Sequence, residues 1–425
     1  MDKTINNNTE KQYRSFTVAY FVLFIGFIVA VAVFNVVADP AGIYNYVDIE
    51  GFNTEKTAIM DGGGRRDKAQ AIKSGNFDTI ILGTSRAELG LNPLGPAFKG
   101  SRAYNGSLPG SHFFEIEKVF SFAADQSELK RAVLSLDFFT FYEESTGKGD
   151  FAQSGFAGKG GLSEMMHLIS INELVRSFDT VKDNLRGKEA PYTRFGNRTE
   201  LDPKKKGAKK NSIIEIMKRT FVKGRIYERG AASPSQVELL RSIIKRSRED
   251  GTELALFISP IHALQLEFMD LTGTYTHFED WKRALARAVA EEAKANPKTK
   301  LTLWDFSGYN SMTIEKFPEP TYTVKEMSWY WEPTHYKEEL GELILRRVLS
   351  GRGGARVPAD FGVAITPKNI EEHLRKDRLS RDDYRRENSD LVKRLNRLYA
   401  DSARERAEYR LREAPGKGAD KVEFR

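Results

Sequence analysis

The chain has 425 residues, of which 40% are hydrophobic, so it can bury a sizeable core in one large domain with appendages. It contains no cysteine, which excludes disulfide frameworks, thiolate metal sites and cysteine nucleophiles. The net charge of +7 is unevenly distributed, with an excess of Lys and Arg at residues 182–229 and after residue 350. Such stretches suit anionic lipid or acidic polysaccharide, and a solvated loop explains the KKKGAKK run equally well.

The first predicted element is a membrane-spanning helix. Residues 15–38 are apolar throughout and exceed the roughly 20 residues that a bilayer core requires. Lys and Arg precede this run, and Asp and Glu follow it. The positive-inside rule therefore predicts that residues 1–14 are cytoplasmic and that the main domain is periplasmic. Cleavage by signal peptidase is the alternative, but the run is longer than the roughly 7–15 residues of a signal sequence, which favours a retained anchor in the inner membrane.

After the anchor, the sequence predicts an α/β domain over residues 39–350. Four apolar runs read as strands covered on both faces, at residues 78–83, 131–139, 253–260 and 300–308. Helical patterns lie between them, at residues 110–125, 235–250 and 277–295. This alternation predicts a central parallel sheet with right-handed crossovers.

Two segments depart from that alternation. Residues 146–229 contain Gly-rich and Lys-rich stretches, which predict a basic insertion with helices around 162–175 and 213–221. Residues 351–425 form a charged, partly helical C-terminal extension. Within this extension Leu391, Leu395 and Leu398 recur at helical spacing, and we expect this stripe to pack on the chain's own domain rather than on a partner.

The stretch DTIILGTSRAELGLNP contains the first candidate catalytic residue. Ser85 directly follows a predicted strand end, and sites in parallel sheets form at the carboxyl ends of strands. A hydroxyl there can be exposed above the sheet, with backbone N–H groups of the next helix directed at the oxygen under attack. A serine between a strand and a helix is also a common N-cap, so its position alone leaves both roles open.

A serine nucleophile requires a base, and among the six histidines the candidate is His335 in WYWEPTHYKEELGELIL. Glu332 precedes it by three residues, and a tight turn with that spacing aims a carboxylate and an imidazole at one point. A capped helix start is the alternative. For catalysis we expect Ser85 Oγ to lie about 2.6–3.2 Å from His335. Asp305, at the end of the last predicted strand, is an alternative acid.

The stretch YNGSLPGSH supplies a third element, a short strand that ends at Asn105 and Gly106. A glycine at this position lets a backbone N–H approach the nucleophile and form part of an oxyanion hole. In order, GTSR, NGSLPG and EPTH resemble the SGNH, or GDSL-like, hydrolases. The anchor resembles that of a membrane-bound group that includes polysaccharide O-acetylation proteins and D-alanine transfer proteins of the teichoic acid pathway.

The resemblance implies a flavodoxin-like three-layer sandwich in which Ser85 is the nucleophile, His335 the base and Glu332 the acid. It also implies that the Ser85 and Gly106 backbone N–H groups donate to the oxyanion. The family acid is usually aspartate, and the family's asparagine after the third strand is absent, because Asp137 lies at that strand end. An ionised carboxylate cannot donate a hydrogen bond. Either Asn105 substitutes as the side-chain donor, or the oxyanion hole is incomplete.

Four further residues are candidates for substrate contact. Arg86 would hold an anionic substrate group or pair with a carboxylate of the sheet. His262, which follows a strand end, would contact substrate, act as a second base or cap a helix. Trp329 and Trp331 would stack on sugar rings or belong to the core.

The sequence therefore predicts a serine esterase or O-acyltransferase that acts on acyl esters, above all acetyl esters, of an envelope or exported polysaccharide. The alternative is a non-catalytic scaffold that keeps the fold and binds polysaccharide or a membrane partner. We expect the partners to be an acylated glycan, the inner membrane, and an integral-membrane acyltransferase or a polysaccharide secretion complex. We expect no nucleic acid, no cofactor and no metal.

Overall fold

The computed structural model describes residues 2–42, 44, 46–59, 64–142, 147–158, 168–199, 211–212, 230–295, 301–317, 321–322, 327–350 and 357–412. The strands are β1 (Thr79–Leu82), β2 (Ala103–Asn105), β3 (Arg131–Leu136), β4 (Asn211–Ser212), β5 (Glu253–Ile258), β6 (Leu303–Asp305), β7 (Thr321–Tyr322), β8 (Tyr330–Glu332), β9 (His335–Tyr336) and β10 (Val363–Ile365). The α-helices are α1 (Asp2–Ala38), α2 (Arg65–Ser74), α3 (Ser85–Gly90), α4 (Phe113–Gln126), α5 (Ile171–Leu185), α6 (Pro234–Glu249), α7 (Ala263–Leu271), α8 (Thr274–Ala295), α9 (Glu338–Ser350), α10 (Ile370–Glu387), α11 (Ser389–Asp401) and α12 (Ala403–Arg412).

The chain divides into two compact units, and the first comprises residues 1–75 and 149–194. Its helix α1 contains one segment, residues 11–38, that is long and apolar enough to cross a membrane, with a mean hydropathy of 2.8. Most of the predicted insertion that the structure describes belongs to this unit, including α5. The helix predicted around residues 162–175 is described from Ile171 and continues to Leu185. The helix predicted at residues 213–221 lies outside the described residues.

The second unit comprises residues 76–148 and 195–425 and contains a six-stranded sheet in the order β10-β6-β5-β3-β1-β2. The five strands from β6 to β2 are parallel, and β10 pairs antiparallel with β6. All four predicted strands form, and β1 is buried along its whole length because helices cover both faces of the sheet. The mixed α/β class with a mostly parallel central sheet is therefore confirmed.

The C-terminal segment is part of this second unit and does not form a separate extension. Strand β10 adds an edge to the sheet, and Leu395 of α11 is buried in the main hydrophobic cluster. Leu391 and Leu398 pack against the same cluster, so the prediction that this stripe packs on its own domain is confirmed. The pairing of β10 with β6, which joins segments distant in sequence, places the residues after 350 in the same unit as the sheet.

Two glycines allow α3 and α9 to approach closely. A Cβ atom on Gly341 would lie 1.6 Å from the carbonyl oxygen of Gly90, and a Cβ atom on Gly90 would lie 2.0 Å from the ring of Tyr336. Any larger side chain would therefore push the helices apart. Because Tyr336 follows His335 directly, this contact fixes β9 against the helix that begins at Ser85.

Candidate active site

Ser85 occupies the first position of α3, but it does not cap the helix. Thr84 is the N-cap, since its hydroxyl oxygen accepts a hydrogen bond from Arg86 N at 3.3 Å. The same Thr84 hydroxyl donates to Asp137 Oδ2 at 2.6 Å. From residue 78 to residue 91, Ser85 alone is not buried. The capping role is therefore filled by its neighbour, and Ser85 is partly exposed.

The structure brings Ser85, His335 and Glu332 together in one chain of hydrogen bonds. Ser85 Oγ lies 2.8 Å from His335 Nε2, within the range expected for a nucleophile and its base. His335 Nδ1 bonds to Glu332 Oε1 on the other side of the ring. An ionised carboxylate only accepts hydrogen bonds, so Nδ1 is the donor of this bond, and in a ring with a single proton Nε2 is then the acceptor for the Ser85 hydroxyl.

A short hairpin fixes the acid and the base relative to each other. Strands β8 and β9 pair antiparallel, and Glu332 lies opposite His335 across a two-residue turn formed by Pro333 and Thr334. Proline is favoured at the second position of a β-turn because its φ angle is fixed in the required range. The three-residue spacing in the sequence therefore becomes a cross-strand pair.

Glu332 is buried and accepts several hydrogen bonds in addition to that of His335. Thr334 N donates to Oε2 at 2.9 Å, and the Thr334 hydroxyl donates to Oε1. Burial alone would raise the pKa of Glu332, but the charge and hydrogen bond of His335 and the bonds from Thr334 outweigh it and hold this pKa at about 2. Glu332 is thus an ionised carboxylate able to stabilise a protonated His335.

Arg86 is hydrogen-bonded to residues around Ser85 and His335, so its guanidinium is not free to bind substrate. Its buried guanidinium donates from Nε to the Thr334 carbonyl at 2.8 Å, from one terminal nitrogen to Asp137 at 2.6 Å and from the other to Gln265 at 2.9 Å. Of its two predicted roles, the pairing with a carboxylate of the sheet is therefore the one observed. These bonds connect the helix of Ser85 to the end of β3, to α7 and to the turn before His335.

Two of the three predicted oxyanion donors are already engaged. The Asn105 side-chain nitrogen donates to the carbonyls of Ala87 and Leu91, both at 2.9 Å. The Gly106 N–H donates to the Ile81 carbonyl at 2.9 Å. The assignment of these two groups to an oxyanion hole is therefore corrected: Asn105 fixes the backbone of α3, and Gly106 extends the pairing at the end of β1.

The Ser85 backbone N–H is the remaining predicted donor. It lies at the first position of α3, where helix geometry leaves the amide without an intrahelical acceptor. Asp137, at the position where the resemblance implies an asparagine, accepts hydrogen bonds from Thr84 and Arg86 and cannot donate.

Asp305 belongs to a different network and does not reach His335. Its Oδ2 lies 2.9 Å from Lys282 Nζ and 2.9 Å from His373 Nε2, and its Oδ1 accepts from Ser307. The assignment of Asp305 as an alternative acid is therefore corrected. Asp305 ends β6, and three strand-to-strand steps separate β6 from β1 in the sheet.

The other candidate substrate contacts lie around the hairpin. His262 is buried, accepts from Leu264 N as the N-cap of α7 and bonds to the Glu315 carbonyl through Nε2. Burial lowers its pKa to about 4, so the ring is neutral, and because both of its nitrogens are hydrogen-bonded this residue is a helix cap rather than a second base. Trp329 and Trp331 are half-buried; Trp329 packs against the main hydrophobic cluster, and the ring of Trp331 lies beneath Lys337 Nζ at 5.5 Å.

Three residues that hold Ser85, His335 and Glu332 in place were not predicted from the sequence, namely Thr84, Gln265 and Thr334. GTSR contained the signal for one of them, because threonine is a good N-cap. Among the described residues, no group of three His, Asp or Glu side chains is arranged to hold a metal ion. Comparisons with protein-family models, with curated proteins and with solved structures found no match to this chain.

Proposed function

We propose that this protein is a membrane-anchored serine esterase or O-acyltransferase of the SGNH-like type, acting on acyl esters of an envelope or exported polysaccharide. The observation that carries the proposal is the hydrogen-bond chain from Ser85 through His335 to Glu332, with the serine partly exposed and the carboxylate buried. That combination of an accessible nucleophile, an oriented base and an ionised acid is what acyl transfer through serine requires.

In the proposed reaction, Ser85 Oγ attacks the acyl carbon as its proton passes to His335 Nε2. The ester C–O bond then breaks, the leaving sugar oxygen takes the proton from His335, and the acyl group remains on Ser85. Water or a second sugar hydroxyl next gives its proton to His335 and attacks the acyl group, which regenerates Ser85. Glu332 stabilises the protonated ring during both steps. Hydrolysis and transfer differ only in which hydroxyl attacks the acyl group.

The sheet supports the SGNH-like assignment. The parallel strands have the order β2-β1-β3-β5-β6, which is the flavodoxin-like order 2-1-3-4-5 when β5 and β6 are counted as the fourth and fifth strands. The serine follows the first of these strands, and the histidine follows the last in the chain. The motifs GTSR, NGSLPG and EPTH carry the same order.

The polysaccharide substrate depends on the proposed topology. Lys11 and Arg14 precede the uncharged run 15–38 within α1, and Asp39 and Asp48 follow it, which supports a cytoplasmic N-terminus and a periplasmic second unit. A reporter that is active only outside the cytoplasm should work when fused after Gly51 and should fail when fused before the apolar segment. Cytoplasmic activity at both points would remove the argument for an exported glycan.

The direct test is labelling of the full-length protein in detergent with a serine-directed fluorophosphonate, together with hydrolysis of a small acetyl ester. We expect labelling and hydrolysis in the wild type and in Ser328→Ala, an exposed serine near the hairpin, and loss of both in Ser85→Ala. Equal labelling of Ser85→Ala and wild type would contradict the assignment of the nucleophile.

A non-catalytic scaffold is the second candidate, and the engaged donors at Asn105 and Gly106 favour it. Removal of one oxyanion donor typically costs about 10²–10³ in turnover, so a site with one predicted donor can be very slow. If the wild type neither labels nor hydrolyses the ester while it binds a polysaccharide, the scaffold is the better description.

A further inference from the structure

Helix α5 in the first unit buries polar side chains and exposes apolar ones, which is the reverse of a helix at the surface of a water-soluble domain. The residues that it buries are all polar, namely Glu173, Ser177, Thr180 and Asn184. Four of its six large apolar side chains are exposed, namely Ile171 (78%), Val175 (52%), Phe178 (59%) and Leu185 (75%), and the other two, Leu174 and Val181, are half-buried. These four positions are spaced by four, three and seven residues, so they form one stripe along the helix.

Hydrogen bonds fix which face of α5 is turned inward. Ser177 Oγ donates to the Asn35 side chain of α1 at 2.8 Å, and Asn35 donates to the Leu168 carbonyl at 2.6 Å. Farther along the helix, the Asn184 side chain donates to the Glu55 carbonyl at 2.7 Å and accepts from the Glu55 N–H at 2.8 Å. Rotating α5 to bury its apolar stripe would break these bonds, so exposure of the stripe follows from specific contacts.

The position of α5 along α1 indicates what the stripe contacts. Counted from Ser15, the roughly 20 residues that cross a bilayer core end near Phe34. The ring of Phe34 lies 4.8 Å from the ring of Phe178 on α5. The apolar stripe therefore lies at the level where the membrane core meets the interfacial region. Lys182 lies within the same stripe, and a lysine at this depth can extend its charged end to water while its stem contacts lipid.

We propose that the apolar stripe of α5 is immersed in the lipid interface beside α1, as a second membrane contact of the first unit. The inference rests on the proposed anchoring of α1. Amphipathic helices of this kind lie in the membrane plane with their apolar face about 5–10 Å deep. The contact restricts rotation of the first unit about α1, because a second membrane contact beside the helix defines an orientation that one helix leaves open.

The absence of cysteine allows a single-label test on the full-length protein in liposomes. A nitroxide is attached at Phe178→Cys or Leu185→Cys, and its collision rates with oxygen and with a water-soluble nickel chelate are measured by electron paramagnetic resonance. Asp179→Cys is the matched control, since it is an exposed polar position next to Phe178 on the same helix. Val22→Cys, exposed in the middle of α1, reports the anchor itself.

We expect an oxygen-to-nickel ratio at Phe178→Cys and Leu185→Cys several times that at Asp179→Cys. Full nickel collision at both stripe positions would overturn the inference. If Val22→Cys in the same sample showed low nickel and high oxygen collision, the anchor itself would still stand. Low collision with both reagents at the stripe would indicate cover by protein, including a second copy, and would also overturn it. Full nickel collision at Val22→Cys would refute the anchor and this inference together.

Discussion

Two buried carboxylates in the second unit are each hydrogen-bonded to a histidine. Replacing each carboxylate separately by its amide tests which of them is the acid of the candidate site. Glu332 contacts His335, which bonds to Ser85, whereas Asp305 contacts His373 and Lys282 away from the serine. Glu332→Gln and Asp305→Asn remove the same charge and keep the size of the side chain. The two variants should fail in different ways.

The structure sets the size of each effect. Glu332→Gln removes the group that selects the tautomer of His335, which can cost as much as about 10⁴ in turnover, or about 5 kcal/mol in barrier height. Burial would raise the pKa of Asp305, but the charge of Lys282 and the bond from His373 hold it well below its ordinary value. Asp305→Asn leaves Lys282 buried without a counter-charge, which typically costs about 3–5 kcal/mol of unfolding free energy.

The assay compares kcat and KM on a small acetyl ester with the melting temperature, for both variants and for the wild type. Glu332→Gln should lower kcat steeply, with little change in KM and a smaller loss of melting temperature than Asp305→Asn. Asp305→Asn should lower the melting temperature and keep kcat per folded molecule. The reverse pattern, with turnover lost only in Asp305→Asn, would refute the assignment of Glu332 as the acid.

Three further predictions follow from the same contacts. The pKa of Glu332 is about 2 in the folded protein and 4.5 ordinarily, so the ionised carboxylate stabilises the fold fully above about pH 4.5. This contribution is lost as the pH falls toward 2. Urea unfolding should therefore show a larger loss of stability on acidification in the wild type than in Glu332→Gln. Gly341→Ala should push α9 from α3 and lower kcat about 10²-fold, since a displacement of about 1 Å has that effect, while Glu339→Ala on the same helix should not. Arg86→Lys keeps the charge opposite Asp137 but cannot maintain all three hydrogen bonds, each of which contributes about 1.5–3 kcal/mol. The melting temperature and kcat should therefore both fall. An unchanged kcat would show that Arg86 does not position Ser85 and His335.

The parts of the fold that the sequence predicted carry strong local signals. Strands β1, β3 and β5 are continuous apolar runs ending in Gly, Asp or Ser-Pro, and such runs occur where helices cover both faces of a sheet. Because parallel strands end at one edge, a serine after β1 was expected near groups from later strand ends. The pair of Glu332 and His335 was predictable because a turn with proline brings residues three apart together.

The oxyanion donors could not be predicted in the same way. The sequence shows that Asn105 and Gly106 have groups that can donate, but it does not show which backbone carbonyls compete for them. The competing acceptors belong to Ala87, Leu91 and Ile81, and every residue type carries that carbonyl. The pairing of β10 was missed for a related reason, since a three-residue strand in a charged segment gains its stability from a partner far away in sequence.

The burial of Glu332 bears on the choice between an enzyme and a scaffold. Removing a carboxylate from water costs free energy, and buried ion pairs can often be replaced by apolar side chains without loss of stability. A protein that needed the hairpin of β8 and β9 only as structure would gain little from an ionised Glu332 fixed by His335 and Thr334. The arrangement is useful when His335 takes up a proton, because the buried charge then stabilises the imidazolium strongly. The nitrogen that would take up this proton lies 2.8 Å from the Ser85 hydroxyl, so the burial of Glu332 supports the proposed proton transfer from Ser85. On that proposal, the engaged donors at Asn105 and Gly106 would limit the rate of the reaction rather than its type.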